Sequence, residues 1–215
     1  MTRLELHGYR FSVYTRIVRM VLHEKGLEYA YREVDPFAET PDPALHPFGR
    51  VPSLRHGDAV LYETAAITRY LDAAFPEPVL MPPAPLAQAR MMQVISIVDS
   101  YGYWPLVRQV FSHGVFRPLE GEVADAKELE AGLEAAKPVL QALDDIASEG
   151  LVLDPRRFTL ACAHLAPMLD YFTRATEGAE MMGYYPQLLT WLYVTRERAC
   201  FRDTLPDLGW PKFTP

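Results

Sequence analysis

The chain has 215 residues, 49% hydrophobic and 23% charged, the makeup of an ordinary globule with room for one large domain or two small ones. Its formal charge of −7 argues against nucleic acid as a partner, and its two cysteines, Cys162 and Cys200, have neither metal-site nor disulfide-framework spacing. No apolar run reaches membrane-spanning length and the opening MTRLELHGYR holds no signal-peptide core, so the expectation is a cytoplasmic chain with no membrane and no metal.

Leu4 and Leu6 alternate with polar residues and predict a first strand ended by Gly8. Tyr9 to Ser12 form a loop. From Val13 to Lys25 apolar residues recur at three- and four-residue steps, the helical period, and Gly26 closes the helix. Tyr29, Tyr31 and Val34 mark a second strand within Glu28 to Val34. Four prolines between Asp35 and Pro47 predict irregular chain with at most a turn of helix.

The most informative stretch runs from His46 to Leu71. Val51 to Leu54 reads as a short strand entered through a proline, His56-Gly57-Asp58 as a turn, and Val60 to Tyr62 as the return strand. Proline donates nothing to a ladder, so Pro52 is expected at a strand edge or in a cis turn, which leaves the backbone of Val51 to pair with an extended ligand. A helix from Thr64 to Phe75 follows. Thr64 can cap it, and its first N–H groups suit a carboxylate.

Pro76, Pro78, Pro82, Pro83 and Pro85 lie within ten residues and predict a stiff linker, 79–86, between a first domain, 1–78, and a second, 87–215. Beyond it the pattern is helical. Ala87 to about His113 is one helix, with a kink expected at Gly102 and Pro105. Leu129, Leu133, Ala136, Leu140 and Leu143 mark a long amphipathic helix with Pro138 inside it. Phe158 to Thr173 is apolar all round and predicts a buried central helix, Tyr185 to Arg198 is another, and Asp203 to Pro215 is expected to be extended.

The run His46-Pro47-Phe48-Gly49-Arg50-Val51-Pro52, a hairpin, then Glu63-Thr64 resembles the glutathione-binding half of the glutathione S-transferase superfamily. There Asn-Pro-x-Gly-x-Val-Pro leads through a hairpin to a Glu-Ser pair opening a helix. Phe11-Ser12-Val13-Tyr14-Thr15-Arg16 resembles the Ala-Ser-x-x-Thr-Arg pattern of phi-type and related members, in which the serine is catalytic. The resemblance implies an α/β thioredoxin-like domain of order βαβ then ββα, followed by an all-α domain. It further implies a homodimeric transferase that joins glutathione, its co-substrate, to an apolar electrophile.

The chemistry needs a thiolate, and a free thiol with a pKa near ~8.5 is only a few per cent ionised at neutral pH. A hydroxyl donating to the sulfur favours the anion. The loop after the first strand offers Tyr9, Ser12, Tyr14 and Thr15. The motif selects Ser12, with Tyr9 the alternative and a plain helix N-cap a compatible second role. On the same resemblance Arg50 matches a position often held by glutamine and reaches toward a glutathione carboxylate. Val51 pairs with the cysteinyl backbone in a geometry held by Pro52. Glu63 and Thr64 hold the γ-glutamyl group, and Asp99 reaches the glutathione amine across a dimer. Tyr9, Arg10, Phe11, Tyr103, Trp104 and Phe111 line the co-substrate pocket.

Two departures stand out. Phe37 to Leu45 lacks the His-Lys pair that grips the glycyl carboxylate, so that contact passes to Arg50, His46 or elsewhere. Cys162 replaces the aspartate of a capping box opened by Thr159, which is expected to leave the Thr159 N–H without its usual acceptor and the thiol as buried packing. Two rivals remain, a non-catalytic ligand-binding member and a glutathione-dependent isomerase or reductase. Reductase chemistry asks for a cysteine in the Ser12 loop, and there is none.

Overall fold

The structure, a computed structural model, describes residues 3–37 and 42–207. The expectations for 38–41 and for the tail beyond Asp207 lie outside the described residues.

Alternation buries one face of β1 (Leu4–Gly8), which occupies the interior of a four-stranded sheet of order β2-β1-β3-β4. β2 (Tyr29–Glu33) runs parallel to it, β3 (Ser53–His56) antiparallel, and β4 (Ala59–Tyr62) closes the far edge. A parallel pair needs a crossover, and α1 (Val13–Glu24) supplies it. Leu6 sits in register with Tyr31 on one side and Leu54 on the other. The hairpin turns through Gly57 and Asp58, with Gly57 at φ 61°, where a side chain would be strained. α2 (Thr64–Ala74) then packs against α1. This is the thioredoxin-like βαβ–ββα order.

The proline-rich stretch is anchored. Lys25, just past α1, buries its ammonium against Asp72 at 2.9 Å and donates to the carbonyls of Phe75 and Pro78, satisfying the end of α2. The Asp72 carboxylate also accepts the N–H of Leu80, which is buried and whose carbonyl accepts the N–H of Leu160. α3 (Pro85–Ile97) begins inside the stretch expected to be linker, because proline suits the first turn of a helix.

The helix continues through Gly102 and Pro105, where the sequence predicts a kink. There the helix widens. Val98–Gly102 and Trp104–Phe116 are π-helical, with Tyr103 N–H donating to Val98 O and Arg117 N–H to Ser112 O, five residues back. Widening absorbs a proline that has no N–H to give. The short α4 (Arg117–Leu119) ends the rod.

α5 (Ala126–Ser148) is capped by Asp125, whose carboxylate accepts the Lys127 N–H, and it runs straight through Pro138. At Gly132 it meets the π-helical stretch so closely that a Cβ would lie 2.6 Å from Gln109 and 2.9 Å from Val110. Every residue of α6 (Leu160–Phe172) is buried, as its unbroken apolar pattern predicts. α7 (Thr176–Met182), α8 (Pro186–Arg196) and α9 (Ala199–Arg202) complete the helical half. α7 and α9 are too short to show a period in the sequence. No helix among the described residues is long and apolar enough to cross a membrane.

Around Cys162 the structure corrects the sequence reading. Thr159 stands at the N-cap of α6 without a side-chain capping bond, because its hydroxyl donates to Val152 O at 3.1 Å. The sulfur of Cys162 lies 3.5 Å from that hydroxyl and 3.4 Å from Val152 O, and the Thr159 N–H is drawn to it. The lost carboxylate is thus replaced by a thiol that serves two partners. Burial pushes the thiol pKa up, so it stays protonated.

Candidate active site

A cleft of about 960 Å³ opens between the loops at one end of the sheet and the π-helical rod. Its position follows from one close approach. A Cβ on Gly8 would lie 2.3 Å from the Thr15 side chain, so only glycine lets the end of β1 run this near α1. The Thr15 hydroxyl accepts the Tyr9 N–H at 3.3 Å, the Tyr9 carbonyl accepts the Ser12 N–H at 2.9 Å, and the chain turns into α1 at Ser12. Ser12 Oγ accepts the Thr15 N–H at 3.2 Å as N-cap. With a lone pair engaged in the cap, its O–H remains to donate into the cleft it lines.

The other three hydroxyls are placed differently. Thr15 is buried beneath the loop. Burial and Asp99 both raise the Tyr14 pKa, and the Tyr14 hydroxyl is bonded to that carboxylate. The Tyr9 pKa is raised by burial and then by Glu120, Asp35 and Glu33, a setting hostile to a second anion.

Across the cleft the Val51–Pro52 bond is cis, as expected, and Val51 lies just outside the ladder that starts at Ser53. Thr64 does not cap α2. It is the first residue of the helix, and Glu63 takes the N-cap position with no capping bond from its side chain. Glu63 adopts φ 67°, ψ 115°, a region costing a non-glycine residue of order 1–3 kcal/mol and typical of functional sites. Thr64 and Ala65, whose N–H groups open α2 without helical acceptors, line the cleft. His46 Nδ1 accepts the Phe48 N–H at 3.2 Å, which turns Nε2 toward Glu63, 4.0 Å away. Burial lowers the His46 pKa despite Glu63. Arg50 is exposed on the same rim.

Asp99 enters from the rod. It is exposed to water at the mouth of the cleft, with protein packed along its other side. Burial, with help from Glu63, pushes its pKa up to about 6 against the Tyr14 hydrogen bond. Glu63, Asp99 and Tyr14 therefore form one acidic corner.

The remaining wall is aromatic. Phe37, Tyr9, Phe11, Phe116, Phe111 and Tyr171 make a continuous chain of ring contacts with centroids 4.5–6.1 Å apart. Tyr103 stacks on Tyr14 at 4.9 Å, and Trp104 is exposed at the mouth. Of the expected pocket residues only Arg10 is absent from the lining, because Glu33 holds its guanidinium at 3.1 Å outside the cleft.

Residues 6–79 match the family described as glutathione S-transferase, N-terminal domain. Over 216 residues the chain is 30% identical to glutathione S-transferase 3 of Zea mays, covering 98% of this chain and 97% of that one. A solved structure of glutathione S-transferase III in apo form superposes with a TM-score of 0.82 at 30% identity, covering 99% and 100% of the two chains. The chain belongs to the glutathione S-transferase family. A stringent starvation protein A homolog of Pasteurella multocida is also similar, 30% identical over 168 residues that cover 77% of this chain and 73% of that protein.

For a glutathione S-transferase, the cleft also holds residues the sequence does not single out, among them Phe37, Val107, Arg108 and Phe116. The last three follow from the widened helix. A repeat of four to five residues brings Tyr103, Trp104, Val107, Arg108, Phe111, Ser112 and Phe116 to one side, whereas an α-helical repeat would spread them round the rod. Only the awkward pairing of Gly102 with Pro105 inside an apolar run signalled it.

Proposed function

We propose that this protein is a serine-type glutathione transferase that binds glutathione along the sheet-side wall and joins its sulfur to an apolar electrophile held against the aromatic wall. The observation that carries the reading is Ser12: a hydroxyl at a helix N-terminus, its oxygen engaged in the cap, its proton uncommitted, in the same cleft as the open N-terminus of α2.

The chemistry follows from charge. Lowering a thiol pKa by two units takes about 3 kcal/mol, within reach of one charge-assisted hydrogen bond from Ser12 plus the positive end of α1. The γ-glutamyl carboxylate suits the free N–H groups of Thr64 and Ala65, and its ammonium suits the corner of Glu63 and Asp99. Val51 offers its main chain to the cysteinyl backbone beside Pro52. Arg50 takes the glycyl carboxylate in place of the missing His-Lys pair. The thiolate attacks carbon, the leaving group departs with its bonding pair, and the thiol proton passes to solvent. Tyr9, Phe11, Tyr103, Trp104 and Phe111 exclude water from the electrophile.

We also read the protein as a cytoplasmic detoxification enzyme with domains 1–78 and 87–215 joined by 79–86, and as a homodimer. Supporting the dimer, Phe48 is 71% exposed beside Tyr62. Sedimentation at micromolar concentration checks it.

The test is Ser12→Ala. Spectroscopic titration of the bound thiolate should show its pKa raised by one or more units, about 1.4 kcal/mol for each, while glutathione affinity changes far less. An unchanged titration, with Tyr9→Phe abolishing conjugation instead, overturns the assignment. A second reading is a ligand-binding member that keeps the same cleft, with slight chemistry. Glutathione binding without turnover of any aryl halide would decide for it.

A further inference from the structure

We infer that the electrophile this cleft takes carries a carboxylate, and that Arg108 receives it; the inference rests on the proposed use of glutathione. Arg108 stands on the cleft side of the π-helical stretch, between Trp104 and Ser112. The chain has 28 acidic and 21 basic residues, so acidic partners are plentiful. Several arginines elsewhere pair with one, Arg10 with Glu33, Arg32 with Glu5, Arg90 with Glu149 and Arg202 with Glu197, while Arg55, Arg69 and Arg157, exposed away from the cleft, make no ion pair among the described residues. Arg108 makes no such pair among the described residues, and it has been left in the cleft rather than on the outer surface.

Its surroundings sharpen the point. Neighbours on the same side of the rod are Trp104, Val107, Phe111 and Phe116, with the Ser112 hydroxyl one repeat on. Apolar flanks strengthen the pull of a cation on an anion, and a guanidinium fork matches a carboxylate with two parallel hydrogen bonds. The acidic corner of Glu63 and Asp99 repels that same carboxylate, so the two charges orient the electrophile along the cleft. The ligand that fits is an aromatic or other apolar body ending in a carboxylate, its reactive carbon turned to the sulfur. In the aryl chloride case the thiolate forms a C–S bond, chloride leaves with the C–Cl pair, and the thiol proton goes to solvent.

The experiment compares para-chloro-meta-nitrobenzoate with the matching benzamide, which has the same reactive centre and no charge. Rates are divided by the uncatalysed rates, and the two S-aryl glutathione conjugates are also titrated directly as ligands. The wild type should prefer the carboxylate partner about tenfold or more in kcat/KM and in conjugate Kd, equivalent to about 1.4 kcal/mol. Arg108→Gln should bring both ratios near one, and Arg108→Lys should keep part of each. Equal treatment of the two compounds by the wild type overturns the inference and leaves the glutathione reading standing. So does a variant that weakens both conjugates alike, since Arg108 would then serve glutathione's own carboxylate. Failure of both conjugates and of glutathione itself to bind sinks the underlying reading along with it.

Discussion

The wall formed by Ser12, Val51, Glu63 and Thr64 and the wall formed by Tyr103 to Phe116 enclose one cleft, but they place their groups by different means. On the first wall the backbone does the placing: an N-cap, a residue beside a cis proline, a positive φ at Glu63 and the open end of α2. Side chains there tolerate exchange, as Thr64 does for the family's serine, because the N–H groups stay where they are. On the second wall the helical repeat does the placing, and the side chains supply all the chemistry. On the proposed reading, activation of the sulfur belongs with the backbone-built wall and choice of electrophile with the wall whose residues can change without moving the fold.

α6 ties the two walls together, and breaking it should have the largest effect. Asp170, fully buried on α6, holds Arg16 of α1 at 2.6 Å, with Arg196 at 3.3 Å and Arg174 at 3.5 Å. The next residue, Tyr171, donates to Phe11 O at 3.2 Å and stacks on Phe111 of the rod. Asp170→Asn leaves guanidinium groups buried without their carboxylate and should cost about 3–5 kcal/mol in urea denaturation. Burial alone would raise the Asp170 pKa, but Arg16, Arg174 and Arg196 hold it below the ordinary value. Its contribution is therefore complete above about pH 4 and lost as pH falls through the depressed pKa. The variant should lack that part of the acid slope. A variant as stable as the wild type would mean the walls do not depend on this cluster.

A middle-sized effect is expected where the walls meet electrically. Asp99 belongs to the rod but faces the first wall, with a pKa pushed up to about 6 by burial. Below that pH it is neutral and offers little to an ammonium; above it the charge is present. Glutathione affinity should rise by about threefold to tenfold as pH climbs through 6, and Asp99→Asn should flatten that rise, leaving whatever slope His46 contributes. The stability sign is opposite. A raised folded pKa gives a contribution present below about pH 4 and lost as pH rises through 6, and the asparagine variant should not show that loss. Calorimetric titration at several pH values and thermal melts across the same range check both signs.

The two walls also differ in how far they could be read from the sequence. Ser12, Val51, Pro52, Glu63 and Thr64 all reach the cleft because their positions are fixed by local chain geometry, which leaves a trace in turn, proline and cap residues. Arg108 and Phe116 went unread because their facing depends on helix pitch, and Pro105 suggests a break more readily than a widening. Arg10 was misplaced for another reason. Its partner Glu33 is 23 residues away along the chain and beside it only once β2 pairs with β1. The strands and long helices are legible from their periods, whereas the start of α3 at Pro85 hides in a run of prolines that looks like linker.

The smallest effect tests the same contrast away from the cleft, at the start of α6, where the backbone again asks for an acceptor and the side chain is the variable. From the sequence alone, restoring the capping box with Cys162→Asp promises about 1 kcal/mol of stability. The structure reverses that sign. The sulfur lies 3.4 Å from Val152 O and 3.7 Å from Arg157 O, and it can donate weakly to both while attracting the Thr159 N–H. A carboxylate in its place would meet two carbonyl oxygens without a proton to give either, in a site closed off from solvent. The Thr159 N–H, the indole N–H of Trp191 and the charge of Arg198 offset that only in part. Cys162→Asp should lower stability by about 1–2 kcal/mol, a fall in melting temperature of a few degrees. Cys162→Ala, which loses only packing and weak sulfur contacts, should fall by less. A rise in melting temperature for the aspartate variant would show that the backbone at Thr159, rather than the two carbonyls, governs this helix start.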